Sequence, residues 1–174
     1  MGNLRMLSVF CLVVLASEFA AGCSRYMSCP PLWTLYDGHC YRFFGIRKTF
    51  QEAERHCQQI TEGVEGHLVS IACEEEDDLM FEMWESLTMS PTATSDLNSV
   101  WLGLTDTLNE GQFVWIDGAI VTYTDWGAVE PNDADSGEDC AALRFHSTLG
   151  RFWNDQPCST ELPYICKTAA TLGQ

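Results

Sequence analysis

The chain has 174 residues, with 9 Lys+Arg against 25 Asp+Glu and a formal charge of −16. That acidity excludes a nucleic-acid-binding surface and docking on anionic lipid, since both need a basic face. A hydrophobic fraction of 46% and an aromatic fraction of 11% exclude global disorder, and the length suits one domain with a short appendage.

Residues 1–22 read as a cleaved export signal. Arg5 marks a short n-region, the apolar run Met6 to Ala16 falls short of the about 20 residues that span a bilayer, and small residues stand at Ala20 and Gly22 before Cys23. No second apolar run approaches membrane length, so the expected product is secreted and extracellular. Cys11 leaves with the signal. Cys23, Cys29, Cys40, Cys57, Cys73, Cys140, Cys158 and Cys166 remain and read as a disulfide scaffold. Zinc is a poor alternative, because there is no C-x-x-C and His39, His56, His67 and His146 are scattered.

His39 to Phe44 is aromatic-rich and weakly alternating, which predicts a strand. Thr49-Phe50-Gln51-Glu52 has the capping-box form and opens a helix through about Gln59, with Phe50, Ala53 and Cys57 on one face. His67 to Ile71 predicts a short strand or turn. The acids Glu74 to Asp78 open a second helix, where they suit the positive end of the helix dipole and read as a solvated start. Leu79, Met80, Met83, Trp84 and Leu87 form its apolar stripe. Ser90 to Ser99 reads as a polar loop, Trp101 to Leu104 as a strand, and Gln112 to Ile116 as another. From Asp117 to Asp139 little periodicity remains beyond a short piece at Val121 to Tyr123. An unpatterned segment of that length inside a compact domain usually carries function. Ala141 to Phe145, Phe152 to Asn154 and Tyr164 to Cys166 predict short strands. The order is α+β, with helices early and strands late.

No Lys or Arg occurs between Arg55 and Arg144, a stretch that carries 19 carboxylates. Glu130-Pro131-Asn132-Asp133 is followed by Asp135 and by Glu138-Asp139 beside Cys140. Trp153-Asn154-Asp155 adds an amide–carboxylate pair before Cys158. Asp, Glu and Asn supply the hard oxygens that Ca²⁺ takes. The EF-hand pattern is absent, as are G-x-S-x-G and H-E-x-x-H, so neither that calcium motif nor a recognisable enzyme is indicated. Trp101, Trp115, Trp126 and Trp153 read as packing residues rather than sugar-stacking platforms.

Glu130-Pro131-Asn132, Trp153-Asn154-Asp155, the Trp101-Leu102-Gly103-Leu104 strand and His67 to Ile71 before an acidic helix together resemble the signatures of C-type lectin domains. The resemblance implies an α+β fold of two helices, mixed antiparallel sheets and a long Ca²⁺-binding loop region. It implies a domain over 29–166, an N-terminal lead over 23–28 and a C-terminal tail over 167–174. It implies the disulfides Cys29–Cys40, Cys57–Cys166 and Cys140–Cys158. It further implies a principal Ca²⁺ held by Glu130, Asn132, Glu138, Asn154 and Asp155, with Pro131 cis, and a second, auxiliary Ca²⁺ held by Asp106, Glu110, Asp133 and Asp139. The implied function is Ca²⁺-dependent binding of cell-surface glycans of the mannose, fucose or N-acetylglucosamine type, in innate recognition or agglutination, without catalysis. An acidic matrix or protein-binding role on the same fold is the alternative. Cys23 and Cys73 are left over: Cys23 can bridge two subunits, pair with Cys73, or stay a thiol like it. Ala134 and Asp135 in the sugar-facing loop and a long Cys140–Trp153 connection depart from the family and bear on fine specificity.

Overall fold

A computed structural model describes residues 26–61, 64–88, 99–134, 137–146 and 148–173. The expected signal segment, Cys23, Asp135 and nearly all of the Ser90–Ser99 loop lie outside these residues. The elements run β1 (Met27–Ser28), β2 (Thr34–Tyr36), β3 (His39–Lys48), α1 (Phe50–Ile60), β4 (Gly66–Leu68), α2 (Glu74–Thr88), β5 (Ser99–Thr105), β6 (Val114–Trp115), β7 (Cys140–His146), β8 (Gly150–Gln156), β9 (Leu162–Ala169) and β10 (Thr171–Leu172).

Helix α1 starts where its capping box stands. Thr49 is extended, at φ −62° and ψ 158°, and its main-chain N–H and hydroxyl both donate to Glu52 Oε2, at 3.3 and 3.0 Å. Phe50, Ala53 and Cys57 are its buried face. Helix α2 carries its acids at the N-terminus as expected, but the solvated reading of that run is wrong for two of them. Glu76 and Asp77 are 4% and 0% exposed. Glu76 accepts from the Tyr41 hydroxyl at 2.5 Å, Lys167 Nζ at 2.7 Å and the Ala72 amide at 2.7 Å. Asp77 accepts from the Trp153 indole at 2.8 Å. The core needs these acceptors, because a buried tyrosine hydroxyl and indole N–H each require a partner. Met80 and Trp84 are buried on the predicted stripe, whereas Leu87 is left exposed.

The main sheet has the order β2-β3-β9-β5-β7-β8, with β4 also on β9 and β6 also on β5. Its neighbours are antiparallel except β5 and β9, which pair parallel at Trp101 and Tyr164. All seven residues of β5 are buried, as a central strand covered on both faces requires. Val100, Leu102 and Leu104 point into one core with Met80, Trp84, Trp115, Leu143 and Trp153. Trp101, between them, points into the other core with Phe50, Ala53, Cys57 and Tyr164. The predicted strand at Gln112 to Ile116 shrinks to Val114–Trp115, and Val121 to Tyr123 forms no strand. Residues on both sides of the implied 29–166 span are also in strands: β9 runs to Ala169, and β10 pairs with β1.

Three disulfides staple this frame: Cys29–Cys40, Cys57–Cys166 and Cys140–Cys158. The second ties α1 to β9. The third holds the start of β7 against the turn after β8, which fixes Glu138-Asp139 near Asn154-Asp155. Cys73 is an exposed free thiol at the entry to α2.

Candidate functional site

The segment 117–139 has few strand bonds of its own and is laced onto β8 instead. The Trp153 amide donates to Asp125 O at 2.7 Å, the Gly127 amide donates to Trp153 O at 3.0 Å, and the Glu130 amide closes a turn on Gly127 O at 3.0 Å. The Glu130–Pro131 peptide is cis, which folds the chain back so that residues 132 and 133 meet β8. Asp155, 1% exposed, accepts the Asn132 amide at 2.9 Å and the Asp133 amide at 2.7 Å. Glu138 Oε2 accepts from the Ala134 amide at 3.1 Å, and the Glu138 amide donates to Asp133 Oδ1 at 3.1 Å. The Asn132 side-chain amide donates to Glu130 Oε2. Asn154, 6% exposed, donates through its side-chain amide to the main-chain carbonyl of Asp155.

Hydrogen bonds thus bring Glu130, Asn132, Glu138 and Asp155 together against the mutual repulsion of the carboxylates, with Asn154 beside them on β8. The electrostatics are those of a crowded anionic site. Burial raises the Glu130 carboxyl above the ordinary glutamate range. Asp155 and Glu138 raise it further, and Arg144 lowers it only in part.

A second cluster lies next to this one. One oxygen each of Asp106, Glu110 and Asp139 fall within 4.8 Å of one another. Asp106 is 2% exposed. Its Oδ2 accepts the Gly111 amide at 2.8 Å, but its buried Oδ1 has no hydrogen-bond partner among the described residues. Burial raises the Glu110 carboxyl, and the charges of Asp106, Asp133 and Asp139 add to it. Asp133, in a left-handed conformation at φ +43°, is close enough for its charge to act on Glu110, but its carboxylate is not among the three that converge. An unpartnered buried carboxylate oxygen of Asp106 beside the oxygens of two further acids is a set that a hard cation fits. The side chains that converge there are carboxylates, hard oxygen donors that would suit Ca²⁺ better than a softer metal.

Trp101, Trp115 and Trp153 are buried, and Trp126 packs on Trp153 and Phe113 with ring centroids 5.9 and 4.8 Å apart. They build the support under the loop rather than a stacking platform on it. Two charged residues near the site were not singled out as site residues from sequence. Arg151 Nε lies 3.3 Å from Asp77 Oδ2, and its guanidinium also pairs with Asp78, bracing β8 against α2. Arg144 stands on β7, and its sequence signal is its place as the first base after the acidic stretch.

The family model for the lectin C-type domain matches residues 46–168. Curated relatives include an alpha-N-acetylgalactosamine-specific lectin of Patiria pectinifera, 44% identical over 92% of this chain and 95% of its own length. They also include echinoidin of Heliocidaris crassispina, 36% identical over 80% of this chain and 95% of its own. Among solved structures, the C-type lectin CEL-I from Cucumaria echinata superposes with a TM-score of 0.73 at 32% identity, covering 82% of this chain and 99% of that one.

Proposed function

The chain belongs to the C-type lectin domain family, and from that premise we propose that it is a secreted, Ca²⁺-dependent sugar-binding protein rather than an enzyme. In this reading Glu130, Asn132, Glu138, Asn154 and Asp155 hold the principal ion, and Asp106, Glu110, Asp133 and Asp139 hold a second. The principal ion supplies an electrophilic centre to which two neighbouring sugar hydroxyls lend one lone pair each. The side chains complete the inventory. Each hydroxyl keeps a proton to donate and a lone pair to accept with. Glu130 and Glu138 take the protons, and the amides of Asn132 and Asn154 donate to the lone pairs. A vicinal equatorial diol leaves no polar atom unsatisfied there.

The observation that supports this most is the cis Glu130–Pro131 turn docked on Asp155 by two main-chain amides. It gives carboxylates and amides from two distant segments a common location. Glu before and Asn after the proline is the donor–acceptor order that the family resemblance associates with mannose, fucose and N-acetylglucosamine. A second reading, a galactose-type ligand, is favoured by the 44% identity to a lectin named for α-N-acetylgalactosamine. A sugar-inhibition series of mannose, fucose, N-acetylglucosamine, galactose and N-acetylgalactosamine, with Ca²⁺ and with chelator, separates the two. We expect retention on mannose–agarose and release by chelator. Passage through that column alongside inhibition by N-acetylgalactosamine would establish the second reading, and no Ca²⁺-dependent inhibition by any sugar would end both.

Such an open site binds one monosaccharide at about millimolar, roughly −4 kcal/mol. Agglutination or recognition of a glycosylated surface then needs several sites in one particle, and a homodimer bridged through Cys23 would supply them. Export fits the residues 1–22 and the three disulfides. Among the described residues no helix is long and apolar enough to cross a membrane.

A further inference from the structure

Arg144 of β7 lies directly opposite Phe152 of β8, and one pair along, Ala142 lies opposite Asn154. Directly opposed residues of an antiparallel pair project from the same face, as do alternate residues of one strand. Arg144, Phe152 and Asn154 therefore share a face of the hairpin. That face runs up to the loop: a Cβ built on Gly127 would meet the Phe152 ring at 2.8 Å and Glu130 Cγ at 3.0 Å. Arg144 thus stands on the face that carries Asn154, with the Phe152 ring between its strand position and the loop, and its charge is felt at Glu130.

The charge is also uncommitted. Arg151, the other base of the hairpin, is engaged by Asp77 and Asp78. Arg144 makes no ion pair or side-chain hydrogen bond with any described residue, and the nearby Glu130 carboxylate bonds the Asn132 amide instead. Arg144 is half-buried, so its stem is packed along the hairpin face while its head keeps donors to offer.

We propose that Arg144 forms an anion subsite beside the sugar position, so that the preferred glycan carries a sulfate ester or carboxylate next to the bound diol. This rests on the proposed function above and adds the substrate class to it. The guanidinium offers paired N–H donors that match either oxyanion. The rest of the molecule argues the other way, since a net charge of −16 repels an anionic ligand at long range. Selection for an anionic group then depends on this one residue, and its removal should reverse the preference rather than merely weaken it.

The test compares N-acetylglucosamine and N-acetylgalactosamine each with its 6-O-sulfated form, and glucose and galactose each with its uronate, as inhibitors in Ca²⁺ buffer. These changes leave the 3- and 4-hydroxyls untouched. The expected result is inhibition by the charged member at a concentration roughly three- to tenfold lower, the range of one partly desolvated charged hydrogen-bond pair. The advantage should shrink at high salt. The sulfate and uronate arms identify which oxyanion is taken. Arg144→Gln should leave neutral inhibition within about twofold and turn the charged sugars into the poorer inhibitors, while Arg144→Lys should keep part of the advantage. Equal inhibition by charged and neutral sugars in the unaltered protein overturns the subsite and leaves the lectin reading standing. So does a preference that survives Arg144→Gln. Absence of all Ca²⁺-dependent inhibition removes the lectin reading and the subsite with it.

Discussion

Asp77 is fully buried in the first turn of α2 and holds Trp153, the residue just before the Asn154-Asp155 pair, through its indole N–H. Burial pushes its carboxyl up to about 6. The Trp153 hydrogen bond and Arg151 pull it down, and Asp125 and Asp78 add to the rise. Between the ordinary carboxyl value and that figure the folded chain holds a proton that the unfolded chain has released. Folding stability therefore falls as pH rises through the window from about 4 to about 6 and is level beyond it. The rise corresponds to on the order of 2–3 kcal/mol. Asp77→Asn removes the ionisation and keeps an acceptor for the indole. The unfolding free energy of the unaltered protein minus that of Asp77→Asn should tilt downward by about that amount from pH 4 to pH 6 in urea titrations, then run flat to pH 8. A difference constant across pH 4 to 6 would mean that the carboxyl ionises as it does in water.

Strand β5 is pressed against the segment leaving β4 at one point, Gly103. Its amide donates to Val69 O at 2.8 Å, its carbonyl accepts from Ile116 at 2.9 Å, and a Cβ there would lie 2.6 Å from the Leu68 carbonyl oxygen. The obstacle is main chain, so it has no rotamer to yield with. Gly103→Ala should cost about 1–3 kcal/mol of unfolding free energy, the usual penalty of overpacking a core, measurable as a lower urea midpoint at unchanged slope. The elements legible in the sequence were those with a local cause. Thr49 and Glu52 announce α1 because the cap is made within four residues, and Trp101 to Leu104 announces β5 because a continuous apolar run needs burial on both faces. What stayed hidden was decided across long separations. The acids of α2 gave no local sign that Glu76 would meet Tyr41 and Lys167, or Asp77 meet Trp153. The two-residue strands β1 and β10 have no periodicity to read and exist through each other. The acidic residues of the two clusters were legible as residue types, but how they fall into place depends on a turn at Pro131 and on main-chain donors to Asp155, which no spacing reveals. Arg144 was visible only as the end of a run without Lys or Arg, and its neighbours came from strand register.

At the scale of the whole molecule, 19 carboxylates follow one another without an intervening base, and the fold must bear their repulsion. Glu110 and Glu130, one in each acidic cluster, both have carboxyls raised by burial first and then by neighbouring acids. Their ionisation opposes folding, and the opposition grows as pH rises through their raised values; a bound cation reverses the sign. An ion that binds the folded chain and not the unfolded one at a hundred times its dissociation constant adds about 2.7 kcal/mol per site. For a chain of this size that is a rise in melting temperature of roughly 5–10 °C. Calorimetry at pH 7 should show such a rise on adding Ca²⁺ and its loss on chelation. Mg²⁺ should give much less, since it demands a near-ideal octahedron and gives up water reluctantly. At pH 4 the increment should vanish, because protons then occupy the same oxygens. Asp106→Asn replaces the carboxylate of the buried, unpartnered Oδ1 and should lower the calcium stoichiometry and the thermal increment together, while leaving the Glu130 cluster to bind. A melting temperature indifferent to Ca²⁺ at pH 7 would mean that the two acidic clusters bear their own repulsion without an ion.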